Sequence, residues 1–217
     1  MKRLLLLACL FSSVLHAQDT ETTTNTAHYV FPAFTSGTVV LKNGEKQYYQ
    51  LNYNTVSHEM IFDKDGTKLA IAKPEDVDTV FIGTRKFIYM NDVFYEVLTN
   101  TPVALFAEYK GTLKSQGSDI GYGMGSNLAG NTAVSAVKHS GLLYELNLPQ
   151  DYSVSVKTDY WLRKEDKFYK ANSSKQVAGV FQDKEKQVKE LAKKNNTDFS
   201  KGEDIATLVK DIQQSNP

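Results

Sequence analysis

From His28 onward, short runs rich in β-branched and aromatic residues alternate with turn residues. Asn43-Gly44 lies between two such runs and is a dipeptide that tight β-hairpins favour. Two further turns are predicted at residues 64–66 and 91–92, because each separates two apolar runs. This close spacing of about eight short strands over residues 28–114 predicts an antiparallel meander.

The alternation within single strands predicts how the sheet is covered. In RKFIYM, residues 85–90, Phe87 and Tyr89 fall on one face and the apolar residues beside them on the other. Because both faces are apolar there, we expect part of the sheet to be covered on both sides. Adjacent rings such as Tyr48 and Tyr49 must likewise point to opposite faces.

Residues 115–140 interrupt the pattern with Gly, Ser, Asn and Ala, and predict a long irregular loop. Loops of this length are usually functional or disordered. Strand-like runs resume after it, one of them around Trp161, and a turn is predicted at Glu165-Asp166. The last segment, residues 182–217, is rich in helix formers and predicts a helical hairpin.

The second helix of this hairpin has a clear apolar face, because apolar residues recur at i, i+3, i+4 and i+7. These residues are Ile205, Leu208, Val209 and Ile212. Ser200 and Glu203 have the S-x-x-E spacing of a capping box, which predicts that the helix begins just after Ser200.

The N-terminus has the pattern of a secretory signal. Lys2 and Arg3 precede an apolar run over residues 4–15, and Ala17 is a small residue at which cleavage before Gln18 is expected. A short N-terminal anchor is the alternative, but a membrane span needs about 18 or more apolar residues.

A second alternative is lipidation at Cys9, which ends the lipoprotein-like sequence LLAC. Cleavage there would leave only residues 4–8 as the apolar region, below the usual ~7–15 residues, so soluble export is favoured. Cleavage after Ala17 removes the only Cys, so the mature chain is expected to contain no disulfide.

The charge balance excludes two classes of partner. The 217-residue chain has 25 basic and 25 acidic residues, and the signal carries two of the basic ones. The mature chain therefore has 23 basic and 25 acidic residues, a net charge of −2. This balance argues against a general nucleic-acid binder and against a polybasic membrane-surface protein.

Taken together, the patterns predict an α+β, mainly β fold: antiparallel meander sheets with a C-terminal helical hairpin packed against them. The predicted organisation is a signal peptide over residues 1–17, a flexible leader over 18–27, a β-rich domain over 28–181 that contains the 115–140 loop, and the helical hairpin over 182–217.

Several segments occur in a familiar order: YQLNYNTVSHEMIF, VDTVFIGTRKF, FYEVL, a Gly/Ser-rich stretch, and KQVKELAKKNNTDFSKGEDIATLVKDI. In this order, from about Gly37 onward, the chain resembles a family of secreted proteins of unknown function that is common in Bacteroidetes. The resemblance implies an exported, envelope-associated protein and assigns no catalytic residues.

No catalytic or cofactor motif occurs in its required context. Residues 125–132, GSNLAGNT, approach a phosphate-binding loop, but Asn131 replaces the essential Lys and no strand–loop–helix unit surrounds it. His58-Glu59 lacks further ligands at metal-site spacing, and the mature chain has no Cys and no G-x-S-x-G. Glu96 and Glu108 could face each other as glycosidase carboxylates do, although a chance pair is the default among 25 acidic residues. We assign no catalytic, cofactor-binding or metal-binding residues and expect no cofactor.

The surplus of aromatic residues is the strongest hint of a binding surface, with 12 Tyr, 11 Phe and one Trp. Tyr and Trp suit interfaces, although aromatic residues also favour strands for packing reasons alone. The candidate surface residues are Tyr48, Tyr49, Tyr53, Tyr122 and Trp161.

These features favour a non-catalytic envelope module that binds a protein, a glycan or a lipid. A structural or assembly component of an envelope complex is the alternative, and a hydrolase with an unrecognised site is the third class. The expected location is the periplasm or the exterior, with association to the outer membrane left open. We expect no nucleic-acid partner and no transmembrane span in the mature chain.

Overall fold

The computed structural model describes residues 26–115, 144 and 152–215. Within these residues the chain forms a ten-stranded antiparallel sheet followed by three α-helices, which confirms the mainly β prediction. The strands are β1 (Thr35–Leu41), β2 (Lys46–Asn54), β3 (Glu59–Lys64), β4 (Thr67–Ala70), β5 (Val77–Ile82), β6 (Arg85–Met90), β7 (Val93–Val97), β8 (Ala104–Ser115), β9 (Tyr152–Lys164) and β10 (Lys167–Lys170). The helices are α1 (Ser174–Val180), α2 (Glu185–Lys194) and α3 (Gly202–Gln214).

The sheet order is β10-β9-β8-β7-β6-β5-β1-β2-β3-β4. Most neighbours follow each other along the chain, as a meander requires. The exception is the step from β4 to β5, which returns the chain from one edge of the sheet to the far side of β1. Because β3 also contacts β7, the sheet coils over itself around its inner face.

The predicted hairpin turns are confirmed by their backbone geometry. Asn91 and Asp92 have φ angles of 49° and 64°, and Glu165 and Asp166 have 51° and 60°. Positive φ at both central residues defines the type I′ turn that joins two right-twisted strands. Asp and Asn tolerate this region better than most residues do, so the turn residues set the strand register.

The inner face of the sheet carries two hydrophobic clusters. The first, which we name the sheet core, is formed by Val39, Leu51, Tyr53, Met60, Val77, Val80, Ile82, Phe87 and Phe94. The second, the helix core, packs Leu105, Ala107, Tyr160 and Leu162 against the three helices. All four predicted apolar residues of α3 are fully buried in the helix core, which confirms the helical period.

The opposite, outer face is apolar in its central part as well. Phe87 and Tyr89 of β6 pack with the sheet core, whereas Ile88 and Met90 pack around Phe106 on the outer face. Both faces of this strand therefore carry apolar clusters, and Ile88 and Met90 are partly buried on the outer one.

The predicted capping box at the start of α3 is wrong. The helix begins at Gly202, and its N-cap residue Lys201 makes no side-chain capping bond. The Ser200 hydroxyl lies 2.6 Å from a carboxylate oxygen of Asp198 and donates to it, so Ser200 stabilises the preceding turn instead.

The sequence also predicts a short turn of helix that carries Val177 and Val180 and has Ser174 as its cap. The structure confirms this helix as α1, with Ser173 in place of Ser174 as the N-cap.

A buried ion pair lies where the two inner cores meet. Arg85 donates two hydrogen bonds to Glu96, each 2.6 Å long, and a third of 2.8 Å to the Tyr109 hydroxyl. Tyr109 in turn donates to Glu96 and packs against both the sheet core and the helix core. The Arg85 guanidinium also lies 4.6 Å from the ring centre of Phe31, in the segment that precedes β1. These contacts hold β6, β7, β8 and the N-terminal segment in one arrangement.

Replacing Arg85 by Ala would leave a carboxylate that is only 6% exposed without its cation. We expect the free energy of unfolding to fall by roughly 2–4 kcal/mol. This is less than the usual cost of breaking a fully buried ion pair, because the Arg85 side chain is partly solvated. Tyr109→Phe should cost roughly 1–3 kcal/mol, since it removes both the hydrogen bond that the hydroxyl donates to Glu96 and the one that it accepts from Arg85. Urea denaturation measures both changes. Lys189→Ala, which breaks an exposed pair with Glu185, is the control, and an equally small effect of Arg85→Ala would contradict this role.

Candidate binding site

The predicted tyrosine cluster of β2 is divided between the two faces of the sheet. Tyr48 is 73% exposed on the outer face. Tyr49 points inward and packs on Phe62, with ring centres 4.7 Å apart. Tyr53 is 0% exposed inside the sheet core, so it cannot contribute to a surface. Tyr48 is therefore the most exposed of these three, and the partly buried Tyr49 also lines a groove beside it.

Tyr48 lines an open groove of about 490 Å³ on the outer face, which we name the outer groove. Thr38 of β1 is paired with Tyr48 on one side and with Phe81 of β5 on the other. The two rings therefore stand two strand spacings apart, about 10 Å, with the smaller Thr38 between them. Phe81 is 39% exposed, so both rings are accessible from the same side.

Polar groups lie beside these rings in the outer groove. The Gln50 side chain donates a 2.8 Å hydrogen bond to the Ser36 hydroxyl. Asp63 accepts from the Lys68 ammonium and from the Gly66 backbone N–H. The hydrogen bond from Lys68 is the main cause that lowers the pKa of Asp63, so this carboxylate is charged and paired. The outer groove therefore combines flat apolar surfaces with amide, hydroxyl and carboxylate groups.

Gly37 allows the strands under the outer groove to approach each other closely. A Cβ at this position would lie 2.7 Å from Cδ1 of Leu51 and would also clash with the backbone oxygen of Phe81. A larger residue would push β1 away from β5, and Thr38 away from Phe81.

Sequence reasoning missed Phe81, although a signal for it exists. In the run VDTVFI, Phe81 alternates with Val80 and Ile82, which places its ring on the opposite face from these two buried residues. A large aromatic residue out of phase with the buried positions of a strand is expected to be exposed or bound.

The other predicted surface residues do not lie at the outer groove. Tyr122 falls outside the described residues. Trp161 lies on the outer face of β9, and five strands separate it from Tyr48 in the sheet order. Its indole N–H donates a 2.8 Å hydrogen bond to Glu108, which fixes the ring. The predicted residues therefore do not form one surface.

Trp161 lines a second groove, of about 740 Å³, between β10 and α1, which we name the edge groove. The Lys170 ammonium lies 5.5 Å from the centre of the Trp161 ring. Lys175 and Gln176 of α1 line the opposite side. The edge groove is thus basic as well as aromatic.

A cluster of charged side chains lies near Trp161. The Lys110 ammonium lies 2.9 Å from Glu108 and 3.2 Å from Asp159, and Lys157 lies 2.9 Å from Asp159. Burial alone would lower the pKa of Lys110, but its hydrogen bonds to the two carboxylates outweigh burial and raise it. Burial alone would raise the pKa of Asp159, but its bonds to the two lysines outweigh burial and lower it.

The pKa of Lys110 is raised and that of Asp159 is lowered, so both lie further from neutral pH than usual. A general acid or base needs a pKa near the working pH. Glu108 and Glu96 also cannot act together, because Glu96 is paired with Ala107, the neighbour of Glu108, and so lies on the opposite face. The charges of the cluster therefore serve as structural ion pairs.

His58 and Glu59 are engaged with different partners. Glu59 accepts a 2.6 Å hydrogen bond from the Tyr144 hydroxyl, and Nδ1 of His58 lies 3.4 Å from the Tyr53 hydroxyl. Among the described residues, no group of three or more His, Cys, Asp or Glu side chains is arranged to hold a metal ion.

Comparison with known proteins gives no match to a protein-family model, to a curated protein or to a solved structure. In the part of the chain that the structure describes, no helix has the length and apolar character needed to cross a membrane.

Gly37→Ala should lower the free energy of unfolding by roughly 1–3 kcal/mol, the usual cost of overpacking. Gly179→Ala is the matched control, because a Cβ there meets no atom within 4 Å and Ala favours a helix. Urea denaturation of the two variants gives the comparison. Equal stability of both variants would show that β1 and β5 need not approach as closely as the structure places them.

The folded-state pKa of Asp159 is lowered, so its ion pairs stabilise the protein above the unfolded-state pKa of about 3.9. This contribution is lost as the pH falls through the lower, folded-state value. We expect the stability of the wild type to fall as the pH drops below about 5 towards the folded-state pKa, and to fall less in Asp159→Asn. Urea unfolding at each pH measures this. An identical pH dependence in both proteins would contradict the assignment.

Proposed function

We propose that this chain is an exported, non-catalytic binding module of the cell envelope that holds a glycan in the outer groove. The observation that carries the proposal is the pair of exposed rings, Tyr48 and Phe81, on either side of Thr38. Export and an envelope location are supported by the N-terminal pattern and by the resemblance to secreted proteins.

The chemistry of the outer groove favours a glycan over a protein or a lipid. An aromatic ring offers a flat apolar face against which the C–H groups of a sugar can pack, while its edge stays wet. Gln50 and Ser36 provide neutral donors and acceptors for sugar hydroxyls next to these rings. A lipid chain needs an enclosed apolar cavity, and this groove is open and partly polar. Among the described residues that line this groove, Asp63 is the one carboxylate, and it is already paired with Lys68.

The contacts of the helices argue against assembly through the C-terminal segment. The apolar residues of α2 and α3, among them Val188, Ile205 and Ile212, are buried in the helix core. Exposed positions of α2 carry Lys and Glu pairs such as Lys186 and Glu190, which are typical of a solvated helix face. A non-catalytic role is supported by the charged cluster, whose pKa shifts suit ion pairing.

Tyr48→Ala and Phe81→Ala should each weaken glycan binding by roughly tenfold, since each removes one ring from the groove, and the double variant should bind more weakly still. Binding is measured on an array of bacterial envelope oligosaccharides and then by calorimetry with the best of them. Val156→Ala is the control, because Val156 is also an exposed apolar residue, 44% accessible, on distant β9. Its affinity should equal that of the wild type.

Two results would contradict the proposal. One is that no oligosaccharide binds the wild type. The other is that a bound oligosaccharide loses no affinity when both rings are removed, in variants whose circular dichroism shows an intact sheet.

A further inference from the structure

The edge strand β10 leaves backbone hydrogen-bonding groups unused. It pairs with β9 through a two-residue turn, so Lys167 forms a hydrogen-bonded pair with Lys164. Hydrogen-bonded and non-hydrogen-bonded pairs alternate along an antiparallel ladder, so the backbone of Tyr169 also forms hydrogen bonds with β9. The backbone N–H and C=O groups of Phe168 and Lys170 point away from β9, towards the open edge. The next inward bond, from the Ala171 N–H to the Tyr160 carbonyl, is 2.8 Å long and fits this alternation. We find no partner for the outward groups among the described residues.

Helix α1 forms the second wall of a channel along this edge. It contacts β10, and the edge groove lies between the two elements. Gly179 is exposed on the groove side of α1, and no atom lies within 4 Å of the place that its Cβ would occupy. An edge strand beside a helix is a geometry that accepts an extended peptide as an added strand.

The charge of the edge groove selects the type of peptide. Lys170 and Lys175, one on each wall, are the charged residues that line it, and no Asp or Glu among the described residues does so. The nearest acidic residues along β10, Glu165 and Asp166, lie in the hairpin turn beyond the end of the groove. An added strand with carboxylates at alternate positions would place them near the two ammonium groups.

We propose that the edge groove binds an extended acidic segment of a partner protein, which adds to the sheet as a strand beside β10. This inference does not depend on glycan binding, because β8, β7 and β6 lie between the nearest strands of the two grooves, β9 and β5. The simpler alternative is that the lysines only protect an open edge from pairing. In that case no peptide binds.

The test uses fluorescence anisotropy with the whole protein and a labelled peptide in which Glu alternates with Thr and Val. A second peptide with Lys in place of Glu is the charge control. We expect the acidic peptide to bind, more weakly as salt is added, and the Lys peptide not to bind. Failure of the acidic peptide to bind, or equal binding of both peptides, would overturn the proposal.

Gly179→Glu places a negative charge in the groove without a clash and with a residue that favours helices. We expect affinity for the acidic peptide to fall roughly tenfold or more, whereas Gly179→Gln, of similar size and neutral, should change it less than about threefold. Equal effects of Glu and Gln at this position would count against the charge argument.

The added strand itself is tested at Lys170. Lys170→Pro removes an outward N–H without cutting the ladder to β9, and Lys170→Thr makes the same change of charge while keeping that N–H. We expect Lys170→Pro to bind the peptide roughly tenfold more weakly than Lys170→Thr. Equal affinity of the two variants would show that the peptide does not pair with the backbone of β10.

Discussion

Burying Glu96 inside a continuous sheet requires a cation and a hydrogen-bond donor at the same place. Arg85 and Tyr109 meet both needs from the two neighbouring strands, and Tyr109 also contacts both inner cores. An unpaired carboxylate at this depth would be costly, so the pair constrains how β6, β7 and β8 lie against each other. We infer that the ion pair mainly selects this arrangement of β6, β7 and β8 over other arrangements and adds little net stability.

The inner face is occupied by the two cores, which leaves the outer face and the sheet edges for function. The outer groove lies over β2, β1 and β5, where Gly37 lets the strands approach closely and Thr38 separates two exposed rings. The edge groove lies at β10, where a strand edge faces a helix. The outer groove has amide and hydroxyl groups and a paired carboxylate beside its rings, whereas the edge groove has Lys beside its ring. Their chemistry therefore predicts different partners.

Local patterns were enough to predict the turns, the strands and the apolar face of α3, because each depends on neighbours in sequence. The capping box at Ser200 failed because Asp198 competes for the same hydroxyl. The predicted tyrosine surface failed at Tyr53 because burial depends on the coil of the sheet, which no single strand encodes. The pairing of Thr38 with Phe81 depends on the return from β4 to β5, a long-range step without a local signal.

Glycan binding at the outer groove is the function that we propose for this chain. Amide chemical-shift mapping of the wild-type protein, titrated with the tightest-binding envelope oligosaccharide, tests it most directly. The largest shifts should fall on Thr38, Tyr48 and Phe81 and their neighbours on β1, β2 and β5, while the amides of β10 and α1 stay unchanged. Shifts centred on Trp161 and β10 instead, or saturable binding without any shift at the outer groove, would contradict the claim.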